Sequence, residues 1–333
     1  MNKNIKTKLK EFLIRNKKSG GYLLKKRISI RIYQILRAVL LFGLCFLILQ
    51  PLFNKVSLSF MQEKDLYDPT IIVVPRNFTL ENYKLVNSLI NYWKSLFNSI
   101  GISVMSSILQ VAACTIVGYG FARFKFPFKN FWFGCVLLVI VIPPQTIMSS
   151  LYLNFRFFDV FGIIKLFTGS TLNLQNSIVP YMLLCITCMG LKSGLYIFLI
   201  RQYFRGIPKE LEEAAYVDGC GNFSTFLRIM LPDARPILTS CFLFAFVWQW
   251  TDSFYSRMFL GKTALLANKL TAISSLLGDY LTTISGTASK PSVAYGQMMI
   301  STGMIMAIIP LLLIYIVAQK GFVESLSQTG LKM

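Results

Sequence analysis

The sequence predicts an all-α integral membrane protein, with six spanning helices and one long, structured loop between the fourth and the fifth. Three observations carry that prediction. Of the 333 residues, 54% are hydrophobic and only 14% are charged, against roughly 25% charge in a typical soluble domain. Residues 95–122, 130–155 and 291–319 contain no charged side chain. Each run exceeds the roughly 20 residues a helix needs to cross about 30 Å of hydrocarbon. Finally, the charge is segregated: most of the basic residues lie in the N-terminal tail and in short connections. Backbone in lipid has no water to bond to and must bond to itself, so apolar runs of this length are helices.

The expected spans are 36–57, 96–121, 131–153, 177–200, 237–254 and 293–318. Ahead of the first lie Lys3, Lys6, Lys8, Lys10, Arg15, Lys17, Lys18, Lys25, Lys26, Arg27, Arg31 and Arg37, opposed only by Glu11. The net charge of +20 is therefore not read as a nucleic-acid surface. A basic tail directly before a span marks the cytoplasmic side and attracts anionic lipid headgroups. Its length, and the lack of a small-residue cleavage site at Gln50-Pro51-Leu52-Phe53, indicate a retained first helix rather than a signal peptide. With the tail inside, the second-to-third connection (Arg123, Lys125, Lys129) and the fourth-to-fifth (Arg201, Arg205, Lys209, Arg228, Arg235) also fall inside. The first outer loop mixes both signs. Six spans return the C-terminus to the cytoplasm. The expected organisation is thus a basic tail (1–35), a transmembrane domain (36–320) and a cytoplasmic C-terminal tail (321–333).

The seven cysteines lie mostly in apolar runs, so a disulfide framework is not expected. Cys185 and Cys188 form a CxxC on an expected helix. The chain has no histidine and the surroundings are apolar, which favours packing over metal or redox chemistry.

The loop 205–236 reads RGIPKELEEAAYVDGCGNFSTFLRIMLPDARP. Pro208 suits a first helical turn, and Glu210, Glu212 and Glu213 suit the positive end of a helix dipole. Asp218-Gly219 supplies a stop. Asn222 is expected to cap a second short helix and Pro232 to close it. The result is a surface helix-turn-helix. Ala214 and Ala215 allow close approach of another protein, while Leu211 and Tyr216 offer apolar contact. Lying on the headgroups as an amphipathic helix is the other reading, disfavoured by the clustered acids.

The spacing E-A-A, three residues, G, nine residues, I-x-L-P is met by Glu213, Ala214, Ala215, Gly219, Ile229, Leu231 and Pro232. It resembles the signature loop of the permease subunits of binding-protein-dependent ABC importers. Further segments are similar to carbohydrate-importer permeases of the maltose-transporter type: NSIGISVMSSILQVAACTIVGYGFARFKFPFK, VIPPQTIMSSLYL, FVWQWTDSF and AQKGFVESLSQTGLK. Departures are Thr251 in place of the usual Asn, Ser325 in place of Gly, Cys220 in place of Ala, and an unmatched stretch at 274–292. The resemblance implies the type I importer permease fold. It makes the loop a coupling helix on an ATPase subunit, with Glu213, Ala214, Ala215, Asp218, Gly219, Ile229, Leu231 and Pro232 as docking positions. It also implies a second permease subunit, two ATP-binding subunits that use ATP and Mg, and an extracytoplasmic solute-binding protein. No cofactor or metal is expected in the chain itself, and with no phosphate-binding glycine loop it is not expected to be an enzyme.

Lys192 lies about 13 Å inside the fourth span if Arg201 marks its edge, where an ammonium needs water or a partner. It either lines the translocation path, or reaches water because Gly190 and Gly194 break the helix. Trp248 and Trp250 either stack on a sugar or anchor the membrane interface. Pro143, Pro144 and Pro310 are expected to kink their spans, as hinges or as fixed bends. Another polar solute such as glycerol phosphate would fit the same machinery. A secondary transporter would instead call for an intramembrane carboxylate.

Overall fold

The computed structural model describes residues 14–330 except 72, 161 and 287–289. Every named element is a helix, and the described residues hold no strand beyond two isolated bridges, Met61 to Phe78 and Phe158 to Leu172. The first part of the basic tail (1–13) and residues 331–333 lie outside the described residues.

Helix α1 (Tyr22–Ser59) begins well before the expected span and takes in much of the basic tail. It carries Pro51 without breaking, and its apolar side chains are exposed for most of its length, with Phe42 at 75%. Only its last residues become buried, where it meets the final helix. A loop and α2 (Glu81–Ile90) follow. In that loop the Asp65 carboxylate accepts the Asn77 amide N–H at 2.8 Å and its Nδ2 at 2.7 Å. These bonds, the backbone one foremost, hold the Asp65 carboxyl below the usual carboxylate range. Asn91, left-handed at φ 48°, turns the chain into α3 (Tyr92–Arg123).

The third expected span is not one helix. α4 (Lys129–Val141) and α5 (Met148–Arg156, preceded by a 3₁₀ turn from Pro144) meet at a 99° bend. Proline disfavours helical dihedrals in the residue before it, and Ile142 and Pro143 are both extended, at ψ 121° and 136°. The fourth expected span is also interrupted, between α6 (Val179–Ile186) and α7 (Ser193–Gly206). After the loop helices α8 (Glu210–Val217) and α9 (Asn222–Asp233), α10 (Arg235–Thr251) departs at 74° to α9. Then come α11 (Phe254–Leu260), α12 (Ile273–Ser285) and α13 (Val293–Gly330), which is continuous through Pro310 and past the expected start of a C-terminal tail. By length and composition three helices among the described residues are fit to cross a membrane, or up to five if each bent pair is one span.

Helix α3 is the central post. It packs on α7, α10 and α6, and its buried face is largely small and polar: Ser99, Ser103, Ser106, Ser107, Gln110, Cys114 and Gly118. Small side chains let helix backbones approach closely where lipid provides no hydrophobic drive. At Gly118 an added Cβ would lie 2.9 Å from Ile200 Cγ2, and at Gly194 one would lie 2.9 Å from the Val136 carbonyl oxygen. One core, around Tyr196, Phe204, Met230 and Cys241, fills the loop end of the bundle, and a second, around Ile90, Phe246, Leu277 and Met298, fills the opposite end.

Candidate functional site

The loop is built onto the end of α3. Arg123, its last residue, reaches Glu212 of α8, with Nε 3.2 Å from Oε1 and both side chains at most 10% exposed. The Tyr119 hydroxyl donates to the same Glu212 oxygen at 3.1 Å, and Arg123 also donates to the Ile207 carbonyl at 2.9 Å. One arginine thus holds both ends of the turn that starts α8. Glu212 and Ala215, three residues apart, form the inward face of α8, with Ala215 3% exposed. Helical spacing then turns Leu211, Ala214 and Val217 outward, Val217 being 87% exposed. Glu213 and Asp218 are also exposed.

The turn after α8 closes as expected at Asp218-Gly219. Gly219 has φ +82°, its N–H donates to the Tyr216 carbonyl at 3.1 Å, and the Cys220 N–H reaches back to Ala215 at 2.9 Å. That pair of bonds is the Schellman pattern, which needs a left-handed residue at the glycine position. Three local expectations are corrected. Pro208 stands before α8, whose N-cap is Lys209, rather than in its first turn. Gly221 precedes α9 as its N-cap, and no Asn222 side-chain cap forms. Pro232 does not end the second helix but starts its last turn, where a missing N–H is tolerated, and the chain bends at Ala234 instead. Ile229, Leu231 and Pro232 are half-buried rather than presented outward, because α9 is seated through Thr225, Met230 and Ala234, all fully buried. Phe226 lies 4.7 Å, centroid to centroid, from Tyr119, so α9 and the Glu212 clamp share the same tyrosine.

The second notable region is the break between α6 and α7. Cys188 and Lys192 are left-handed at φ 58° and 61°, which costs a non-glycine residue about 1 kcal/mol or more. The expected CxxC on one helix is therefore corrected, since Cys188 has left the helix that holds Cys185 and its sulfur lies 3.9 Å from that of Cys114. Gln110 of α3 stitches the break together. Its Nε2 donates to the Leu191 carbonyl at 2.6 Å and to Ser193 Oγ at 2.8 Å, and its Oε1 accepts Gln249 Nε2 at 3.0 Å. Tyr181 donates to Gln249 Oε1, and its hydroxyl lies 3.2 Å from Asp252 Oδ2. Asp252 in turn accepts the N–H groups of Phe254, Tyr255 and Ser256 at 2.9, 3.1 and 2.9 Å. The carboxylate is spent on the N-terminus of α11.

Lys192 is exposed at this break, its Nζ 4.9 Å from the centroid of the Trp248 ring. Trp248 is 44% exposed, whereas Trp250 is 5% exposed and packs on Phe246 at 5.7 Å. The two tryptophans thus part: one faces the break and the other fills the core. Sequence reasoning missed Arg123, Glu212, Gln110 and Asp252. For the first two the signal was one more glutamate than a dipole needs, opposite an arginine ending an uncharged helix. For Gln110 it was an amide inside an uncharged run.

A bundle of apolar helices with a docked loop and broken spans defines the class of a helical membrane permease. Residues 114–326 match the family of binding-protein-dependent transport system inner membrane components. That is more than half of the chain, and the protein belongs to this family. The arabinooligosaccharides transport system permease protein AraQ of Halalkalibacterium halodurans is 27% identical over 292 residues, covering 87% of this chain and 93% of that one. The trehalose transport system permease protein SugB of Mycobacterium tuberculosis is 25% identical over 261 residues, 78% and 84% of the two chains. Among solved structures, a bacterial ABC transporter involved in the import of the acidic polysaccharide alginate superposes with TM-score 0.67 at 20% identity, covering 88% of this chain and 97% of that chain. At that identity it supports the fold.

Proposed function

We propose that this chain is a membrane-spanning permease subunit of an ATP-driven importer that carries a carbohydrate into the cell, with separate ATPase subunits seated on α8. One observation carries the reading. α8 is pinned from behind by the buried Arg123–Glu212 pair, while its front face, Leu211, Ala214 and Val217, is exposed. A partner pressing on that face pushes on α3, the post on which α7 and α10 pack. The carbohydrate cargo is inferred from relatives named for arabinooligosaccharides and trehalose.

The assembly that goes with this reading has two permease subunits, two ATPases and an extracytoplasmic binding protein. It counts the bent pair α4–α5, the interrupted α6–α7 segment and α10 as spans beside α1, α3 and α13, giving six, with both termini and the loop in the cytoplasm. Nucleotide and binding protein must together favour the outward-open state for transport to run in one direction. A secondary transporter is disfavoured by Asp252: its oxygens are occupied by three backbone N–H groups, leaving no carboxylate there to cycle protons or sodium.

The test is co-expression with the ATPase and partner permease subunits. The expected result is a complex whose ATPase activity rises with the binding protein. It is lost on Ala214→Arg or Gly219→Pro, while membrane insertion is retained. Normal stimulation in both variants would place the dock elsewhere, and failure to recruit any ATPase would overturn the importer reading.

A further inference from the structure

Where the third and fourth expected spans are both broken lies an open cleft of about 230 Å³ whose wall includes Ile140, Pro144, Gly190, Lys192, Gly194 and Tyr255. Its walls are largely apolar, with Lys192 the one charged side chain among the described residues that line it. Among the described residues no carboxylate lies within 4.0 Å of the Lys192 ammonium; its neighbour is the ring of Trp248, 4.9 Å away. Lys192 is exposed in the chain, so its ammonium is free to take a partner, and an aromatic face supplies one only in part.

Two further features make the arrangement costly. Lys192 occupies the N-cap of α7, where the helix dipole is positive and a cation is unfavourable, and no acid stands in its first turn. It also holds a left-handed φ of 61°. Backbone strain and opposed charge retained together at a cavity point to a ligand that repays them. That ligand must bring negative charge and a face that stacks on an indole.

We propose that Lys192 and Trp248 form a binding subsite for an anionic saccharide, one bearing carboxylate or phosphate, on its way through the bundle. The proposal rests on the importer reading above and adds the charge of the cargo. The ammonium pairs with the acidic group while the exposed indole face takes the sugar ring, so both charge and ring are needed for tight binding. The site lies between helices that bend at Pro143 and at 187–192, so a change in either bend moves its walls.

The experiment uses the assembled transporter in lipid nanodiscs. Equilibrium binding of trigalacturonate, glucose 6-phosphate and neutral galactotriose is measured by calorimetry. One charge-assisted hydrogen bond separates charged from neutral probe by about ten-fold or more. The expected result is that preference for at least one anion, its loss in Lys192→Met, retention within about three-fold in Lys192→Arg, and weaker binding of anionic and neutral saccharide in Trp248→Leu. Tight trigalacturonate binding alone assigns a uronate; tight glucose 6-phosphate binding alone assigns a phosphate ester. Equal affinity for neutral and anionic probes, no binding of any probe, or an unchanged anion preference in Lys192→Met would overturn the proposal. ATPase recruitment is scored in the same preparation and depends on α8, so loss of the importer reading and loss of this one give different results.

Discussion

Removing one charge of the Arg123–Glu212 pair is the most direct test of how the loop is tied to the bundle. At 3.2 Å, with an effective dielectric near 20, the Coulomb attraction is about 5 kcal/mol. Desolvation offsets part of it, but deleting one partner leaves the other charge buried, at a cost of about 3–5 kcal/mol. The two side chains are 7% and 10% exposed, so the discount that applies to surface pairs does not. Glu212→Gln is the cleanest change, because the amide oxygen still accepts from Tyr119 and only the charge is lost. Arg123 is then left with the Ile207 carbonyl alone. The assay is native-state hydrogen exchange on the transporter in nanodiscs, reading the amides of Asp218, Gly219 and Cys220, which bond to α8 carbonyls. At about 1.4 kcal/mol per decade, a local loss of about 3 kcal/mol raises their exchange roughly 100-fold, while amides in the middle of α3 stay protected. Arg123→Met should do the same, and the double variant should be no worse than either single, since neither charge is then stranded. Exchange raised less than about three-fold, or single effects that simply add, would refute the clamp.

Three further outcomes follow from the geometry. Gly194→Ala places a Cβ 2.9 Å from the Val136 carbonyl and 3.0 Å from Ile140 Cγ1; backbone cannot yield as a side-chain tip does, so a loss of about 1–3 kcal/mol is expected, and an unchanged thermal midpoint in detergent would show that α4 moves freely. Gln249→Leu strands Gln110 Oε1 and takes from Tyr181 its closer acceptor, at about 1–3 kcal/mol per unpaired group; it should lower the same midpoint more than Gln249→Asn does, and equal midpoints would argue against a continuous polar chain. Asp65 is held below the ordinary carboxylate range, chiefly by the Asn77 N–H. Its contribution is therefore fully present above that range and is lost as pH falls through the depressed folded value. Proteolysis within residues 62–79 should accelerate in acid, and Asp65→Asn should remove that pH dependence; identical profiles would assign it to another group.

The fold class was legible because lipid forces it: uncharged runs of more than 20 residues leave backbone no alternative to helix. The loop was legible because its turn chemistry is local, and Gly219 adopts the left-handed conformation its position demands. What was not legible was non-local. Nothing in ELEEAAYV says which glutamate turns inward; that depends on Arg123, 89 residues earlier by subtraction of the two residue numbers. Likewise the split of Trp248 from Trp250, adjacent but one apart, follows from the rotation of α10 against α3 and α13, which hydropathy does not encode. The length of α1 was underestimated for another reason: basic side chains mark a membrane edge but are good helix formers, so the helix continues through them.

The breaks in the third and fourth expected spans and the polar residues within the apolar runs are two sides of one requirement. A span that unwinds in the membrane frees carbonyls and N–H groups that lipid cannot satisfy. At 187–192 the released groups are met partly locally, with the Met189 N–H on the Leu184 carbonyl at 2.8 Å, and partly from α3, through Gln110 to Leu191. At the end of α10 Asp252 meets three N–H groups of α11, and Gln249 joins the two repairs into one chain. Gln110 and Gln249 are therefore the complement of broken helices rather than decoration of continuous ones. An amide in the middle of an otherwise apolar run is then a signal, readable from sequence, that a neighbouring span is interrupted opposite it. Here that signal stands across from Gly190, where an added Cβ would lie 3.1 Å from the Gln110 amide nitrogen. The glycine keeps the space that the glutamine needs to reach the break, which makes Gly190 as much a part of the repair as Gln110 itself.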